Sequence, residues 1–184
     1  MLSSRIDCAV EALCRPGGVV CYPTETVYGI GGRAADSEAA LRIAGLKGRT
    51  LQALIVLVDR LPEGLPPLAQ ELAQRFWPGP LTLIVPSIEG IAPEVLGPGG
   101  TLGLRWSPHP VVSALIQRVG PITSTSANRT GEPPLTDGRC TLAVDYVLDD
   151  GLLPAAEPST IVDVQSRRVL RPGAIAGAIA DYLR

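Results

Sequence analysis

Residues 22–32 read YPTETVYGIGG and follow directly on an apolar run, GVVC, at 18–21. A short apolar run bounded by turn residues reads as a buried strand. It comes after Arg15-Pro16-Gly17-Gly18, which ends a helix over 4–14 whose Ile6, Val10 and Leu13 share one face. If 22–28 continues as the strand's end, alternation places Thr24, Thr26 and Tyr28 on one face and Glu25 and Val27 on the other. Gly29, Gly31 and Gly32 would then clear space for a ligand beside the hydroxyls. Their spacing fits neither the GxGxxG dinucleotide fingerprint nor the GxxxxGK[ST] phosphate loop.

The pattern continues outward from this segment. Apolar strands are expected over 53–58, 81–85, 101–106, 121–125, 146–148, 160–164 and 169–171. Helices are expected from Asp36 or Ser37 to 46, with Ala40, Leu41 and Ala44 as the inner stripe, and over 66–76, 110–119 and 174–183. Interleaved strands and helices indicate an α/β fold, a single domain over 1–184 with one twisted mixed sheet and flanking helices. The 184 residues are 46% hydrophobic and 18% charged, which excludes a disordered chain, and 4% aromatic, which calls for an aliphatic core. A net charge of −2 and a pI near 5.4 exclude an overall positive field for nucleic acid.

The cysteines (Cys8, Cys14, Cys21, Cys140) form no CxxC pair, and the single histidine, His109, is remote from them in sequence, so no metal site is expected. No signal peptide opens the chain and no apolar run approaches the ~18 residues of a membrane span. The expectation is a cytoplasmic protein with free thiols. His109 has no GxSxG or comparable nucleophile near it, which counts against Ser/His/Asp catalysis.

Several polar clusters carry the chemistry. Lys47-Gly48-Arg49 ends the second helix, either as helix-terminal cations or as a phosphate clamp built from a point charge and a donor fork. Ser124, Ser126 and Asn128 recur at a period of two, either in an ordinary polar turn or in a cradle for phosphate or ribose oxygens. Arg105 lies inside the apolar strand TLGLRW, where a buried guanidinium needs a carboxylate or a ligand phosphate. Arg171 precedes a Pro-Gly turn, and Ser159 starts the strand STIVD.

In order from about 17 to 174, PTETVYGIGG, LKGR, WPGPLTLIVP, LRWSPHP, STSANRTGEPP, STIVD and LRPGA resemble the YrdC/TsaC-like threonylcarbamoyl-AMP synthases. The resemblance implies condensation of L-threonine, bicarbonate and ATP to threonylcarbamoyl-AMP and pyrophosphate, with Mg²⁺, in a deep concave pocket. It implies transferase complex proteins that carry the group to tRNA as partners, tRNA itself being a second-rank direct partner. Alternatives are a non-catalytic RNA-binding module of the same fold and a synthase of a different carbamoyl-adenylate. Carried over by motif, Lys47 and Arg49 face the nucleotide phosphates as the catalytic pair, and Thr26 and Ser159 lie near the threonine. Ser124, Ser126 and Asn128 line the adenylate and its metal, while Arg105 and Arg171 add charge to the pocket. Residues 49–53, RTLQA, lack the proline usual in the family at this turn, and the extra domain of longer members is not expected. Glu25 is expected to point away from the pocket and pair with a structural cation.

Overall fold

The 22–32 stretch is a hairpin. In the computed structural model, which describes residues 2–48, 50, 52–129 and 131–183, β1 (Val20–Pro23) pairs antiparallel with β2 (Tyr28–Gly31). Pro23 has no amide to donate, and residues 24–27 take their hydrogen bonds from a threonine instead. The Thr24 hydroxyl donates to the Val27 carbonyl at 2.7 Å, and its oxygen accepts the amides of Thr26 and Val27.

This turn breaks the expected alternation. Tyr28 does not join Thr24 and Thr26: its ring is in the core, and its hydroxyl donates to the Gly151 carbonyl at 2.7 Å. Burial pushes that phenol up to about 12. Gly31 also works differently from expectation, whereas Gly29 does border a cavity. A Cβ on Gly31 would lie 1.7 Å from the Thr123 carbonyl oxygen, so this glycine lets two backbones meet and leaves no ligand space.

The chain continues through α2 (Ser37–Leu46), β3 (Ile55–Leu57), α3 (Pro67–Phe76), β4 (Leu81–Pro86), β5 (Thr101–Arg105) and α4 (Pro110–Val119). It then forms β6 (Ile122–Ser126), β7 (Tyr146–Val147), β8 (Thr160–Asp163), β9 (Arg168–Arg171) and α5 (Ala176–Leu183), with α1 (Leu2–Cys14) at the start. Among the described residues the strands form one mixed sheet in the order β7-β1-β2-β6-β3-β5-β4-β8-β9. The expected α/β class with flanking helices is the observed one.

Helices bury their aliphatic faces in two cores. Ala39, Ala40 and Ile43 of α2, Leu72 of α3 and Ile179 of α5 join Val56, Leu83, Leu104 and Val162 of the sheet. Ile6, Ala9 and Leu13 of α1 meet Val112, Leu115 and Ile116 of α4 over Val20, Tyr22 and Leu57. The inner stripe of α2 departs from expectation, since Leu41 is 54% exposed. The Asp36 side chain accepts the Ala39 amide, which sets the helix's phase and turns Ala39 and Ile43 inward.

Register decides which side of the sheet carries polar groups. Val56, Leu104, Leu83 and Val162 are mutual partners and lie on the large-core face. The alternate residues therefore share the opposite face: Ser124 opposite Ile55, Ile55 opposite Gly103, Thr82 opposite Ile161, and Ile161 opposite Arg171. Two-residue steps add Ser126, Arg105 and Ser159 to this second face.

Candidate active site

That second face borders a cavity of about 510 Å³ whose wall includes Thr26, Lys47, Arg105, Ser124, Ser126, Asn128, Ser159 and Arg171. Every site residue expected from the sequence is thus brought together here except Arg49, which lies outside the described residues. Thr24, Gly29 and Thr125 also line it. Three cations and no carboxylate line the cavity among the described residues, although the chain as a whole is acidic. A larger groove of about 1130 Å³ has the opposite character, with Asp59, Glu63 and Glu89 beside Arg60. Only the first suits an anion.

Lys47 caps the C-terminus of α2, is only 4% exposed, and donates from Nζ to the carbonyls of Ser126 (2.7 Å) and Asn128 (2.5 Å). The ammonium therefore fastens the end of β6 and the following loop to α2 while bringing its charge to the cavity wall. Asn128 is 8% exposed, and its amide nitrogen donates to the carbonyls of Glu132 (2.6 Å) and Arg129 (3.0 Å). Those donors fix the amide's orientation and leave Oδ1 buried without a partner. Arg105 Nε is likewise buried and unpartnered. One acceptor and one donor on the cavity's own residues are thus left for a ligand to satisfy.

The Arg171 guanidinium donates to the Ser159 carbonyl at 2.8 Å and to its hydroxyl at 3.0 Å. The Ser159 hydroxyl also meets that of Thr82 at 2.9 Å. Partial burial and, next, the nearby Arg105 charge pull Arg171 below its ordinary value. Two guanidiniums held close together favour an anion between them.

Arg105 is answered from behind the wall. Its Nη2 donates to Glu25 Oε1 at 2.5 Å and to the Thr26 hydroxyl at 3.1 Å, while Glu25 Oε2 accepts the Ser107 hydroxyl at 2.5 Å. Glu25 pairs with a cation as expected, but that cation is a cavity residue. Sequence reasoning did not reach Ser107 or Thr82, and no local pattern links Glu25 to an arginine 80 residues away.

His109 caps α4 and accepts the Val111 amide through Nδ1. Among the described residues no group of three His, Cys, Asp or Glu side chains could hold a metal. No helix among them is long and apolar enough to cross a membrane.

Known proteins resemble this chain in sequence and in fold. The Sua5/YciO/YrdC family model, described as telomere recombination, matches residues 12–173. A threonylcarbamoyl-AMP synthase of Stutzerimonas stutzeri (strain A1501) is 36% identical over 179 residues, covering 89% of this chain and 95% of that protein. P. abyssi Sua5 complexed with L-threonine superposes with a TM-score of 0.81 at 32% identity over 94% of this chain. This chain spans 54% of that one. E. coli YciO superposes with a TM-score of 0.81 at 25% identity, covering 95% of this chain and 92% of its own. With the motifs, the mixed sheet and the family match running over the same residues, the chain belongs to the Sua5/YciO/YrdC family.

Proposed function

We propose that residues 1–184 form a single-domain threonylcarbamoyl-AMP synthase, which joins L-threonine, bicarbonate and ATP and releases pyrophosphate. The observation that carries this reading is a cavity walled by Lys47, Arg105 and Arg171 and by hydroxyls and an amide, with no carboxylate among its described residues. Among its described residues such a wall has no histidine, cysteine or carboxylate to serve as a thiol nucleophile or to activate one of its hydroxyls. It suits a reaction whose nucleophile belongs to a substrate and whose difficulty is bringing anions together.

The threonine amine and bicarbonate give a carbamate and water. A carbamate oxygen then attacks the α-phosphorus of ATP, its bond forming as the bond to the pyrophosphate oxygen breaks. Lys47, with Arg49, stabilises the phosphate charge, and Arg171 and Arg105 hold the anionic end of the carbamate. Thr26 and Ser159 orient the amino acid, and Ser124, Ser126 and Asn128 receive the adenylate. Mg²⁺ enters with ATP as a substrate complex and supplies charge neutralisation. The neutral oxygens of Ser124, Ser126 and Asn128, with Oδ1 unpartnered, would help hold that cation beside the phosphates. The product passes to transferase complex proteins that modify tRNA in the cytoplasm.

The deciding experiment follows pyrophosphate and adenylate product from ATP, Mg²⁺, bicarbonate and L-threonine. Threonine-dependent product without RNA supports the synthase. Dependence on carbamoyl phosphate instead identifies a different carbamoyl-adenylate synthase, and turnover with neither, accompanied by a tRNA shift at physiological salt, identifies a binding module.

A further inference from the structure

Glu25 does not line the cavity, yet it touches two residues that decide how the cavity wall is presented. Both of its oxygens are held, one by Arg105 and the other by Ser107. Ser107 is fully buried and its hydroxyl oxygen also accepts the His109 amide, so the carboxylate is anchored to the chain that opens α4. The Arg105 and Glu25 side chains are 8% and 19% exposed, too enclosed for a screened surface pair.

The consequence reaches Thr26. Arg105 Nη2 carries two hydrogens, one directed to Glu25 and the other to the Thr26 oxygen. Thr24 spends its own proton on the Val27 carbonyl, so in the 3.1 Å contact between Thr24 and Thr26 the donor is Thr26. With one lone pair taken by Arg105, Thr26 acts as a donor, and its proton goes to Thr24 or to an acceptor oxygen in the cavity. Had Arg105 turned away, the Thr26 hydroxyl would keep its proton but lose the contact that fixes its rotamer and the direction of that proton.

We propose that Glu25 is a positioning residue for the amino-acid substrate, locking the Arg105 guanidinium so that it holds the Thr26 hydroxyl in the orientation from which its proton reaches a substrate carboxylate. This rests on the synthase reading above. Glu25 acts through Arg105 and takes no part in the bond-making step.

The test is steady-state kinetics on wild type, Glu25→Gln, Glu25→Asp and Ser107→Ala, with threonine and ATP varied separately and a thermal melt of each variant. Glu25→Gln keeps the volume but removes the charge, and is expected to raise the threonine KM about 10–100-fold, the effect of one charge-assisted hydrogen bond. The ATP KM stays within about twofold because the phosphates lie toward Lys47. Glu25→Asp recovers part of the loss, and Ser107→Ala shifts the same constant in the same direction by less. An unchanged threonine KM in active Glu25→Gln overturns the proposal. So does an equal rise for both substrates together with a lower melting temperature, which marks a purely structural role. If Glu25→Gln does not fold, Ser107→Ala decides by the same split. A wild type without threonine-dependent turnover refutes the synthase reading instead. In that event, calorimetric titration with L-threonine weighs Glu25 alone, and equal affinity, or no binding, in wild type and Ser107→Ala overturns its assigned role.

Discussion

Replacing Lys47 with methionine separates its two jobs, because the side chain keeps its length and loses its donors. The carbonyls of Ser126 and Asn128 would lose the ammonium that now reaches them at 2.7 and 2.5 Å. A buried acceptor left unsatisfied costs about 1–3 kcal/mol. The cavity beside Lys47 lets water reach the vacated acceptors, which puts the pair together at about 2–3 kcal/mol, the low end of the two contributions. For a chain of this size that is a fall in Tm of roughly 4–12 °C. ATP affinity falls as well, because the loop carrying Asn128 loses its tether to α2 and the cavity loses a positive charge. Differential scanning calorimetry with and without ATP reads both effects, the second as the missing ligand-induced rise in Tm. A Lys47→Met protein that melts with wild type would refute the tether, whatever its activity. One that melts lower yet keeps the full ATP-induced rise would refute the assignment of Lys47 to the phosphates.

Other expectations follow from single contacts. Gly31→Ala forces a Cβ to 1.7 Å from the Thr123 backbone oxygen, which cannot retreat without parting β2 from β6, and should cost about 3 kcal/mol in urea unfolding. Gly45→Ala, in α2 with no atom within 4 Å of the new Cβ, should instead stabilise by about 0.5–1 kcal/mol; similar losses in both would sink the close-approach argument. Burial holds the His109 imidazole below its ordinary 6.5, against the opposing charges of Asp150 and Glu25. The unfolded chain therefore takes up this proton first, and the stability present above pH ~6.5 is lost as pH falls through the folded value. Melting temperature should drop more steeply between pH ~7.5 and ~5.5 in wild type than in His109→Asn, which caps α4 without titrating; parallel curves would contradict the assignment.

Local chemistry wrote much of this protein legibly. Helix starts at Asp36 and Pro110, the apolar strands, and the clustering of Lys47, Ser124, Ser126 and Asn128 in polar segments all follow from periodicity and turn preferences within a few residues. These signals sufficed for the α/β class and for a resemblance whose site residues, apart from the undescribed Arg49, share one cavity.

Long-range pairing was not legible in the same way. Nothing between 22 and 32 distinguishes a strand end from a hairpin until β2 finds β6, whose backbone fills the space that Gly31 leaves open. The facing of Ser124 with Ile55, and of Ile161 with Arg171, is a matter of register, set by which residues the large core claims on the other side of each strand. Glu25 shows the difference most clearly. Its charge promised a cation, but its choice of Arg105, 80 residues on, required the hairpin turn and the end of β5 to be carried together by the sheet. Burying aliphatic surface fixes that meeting, and the ion pair then orients what the burial has already brought close.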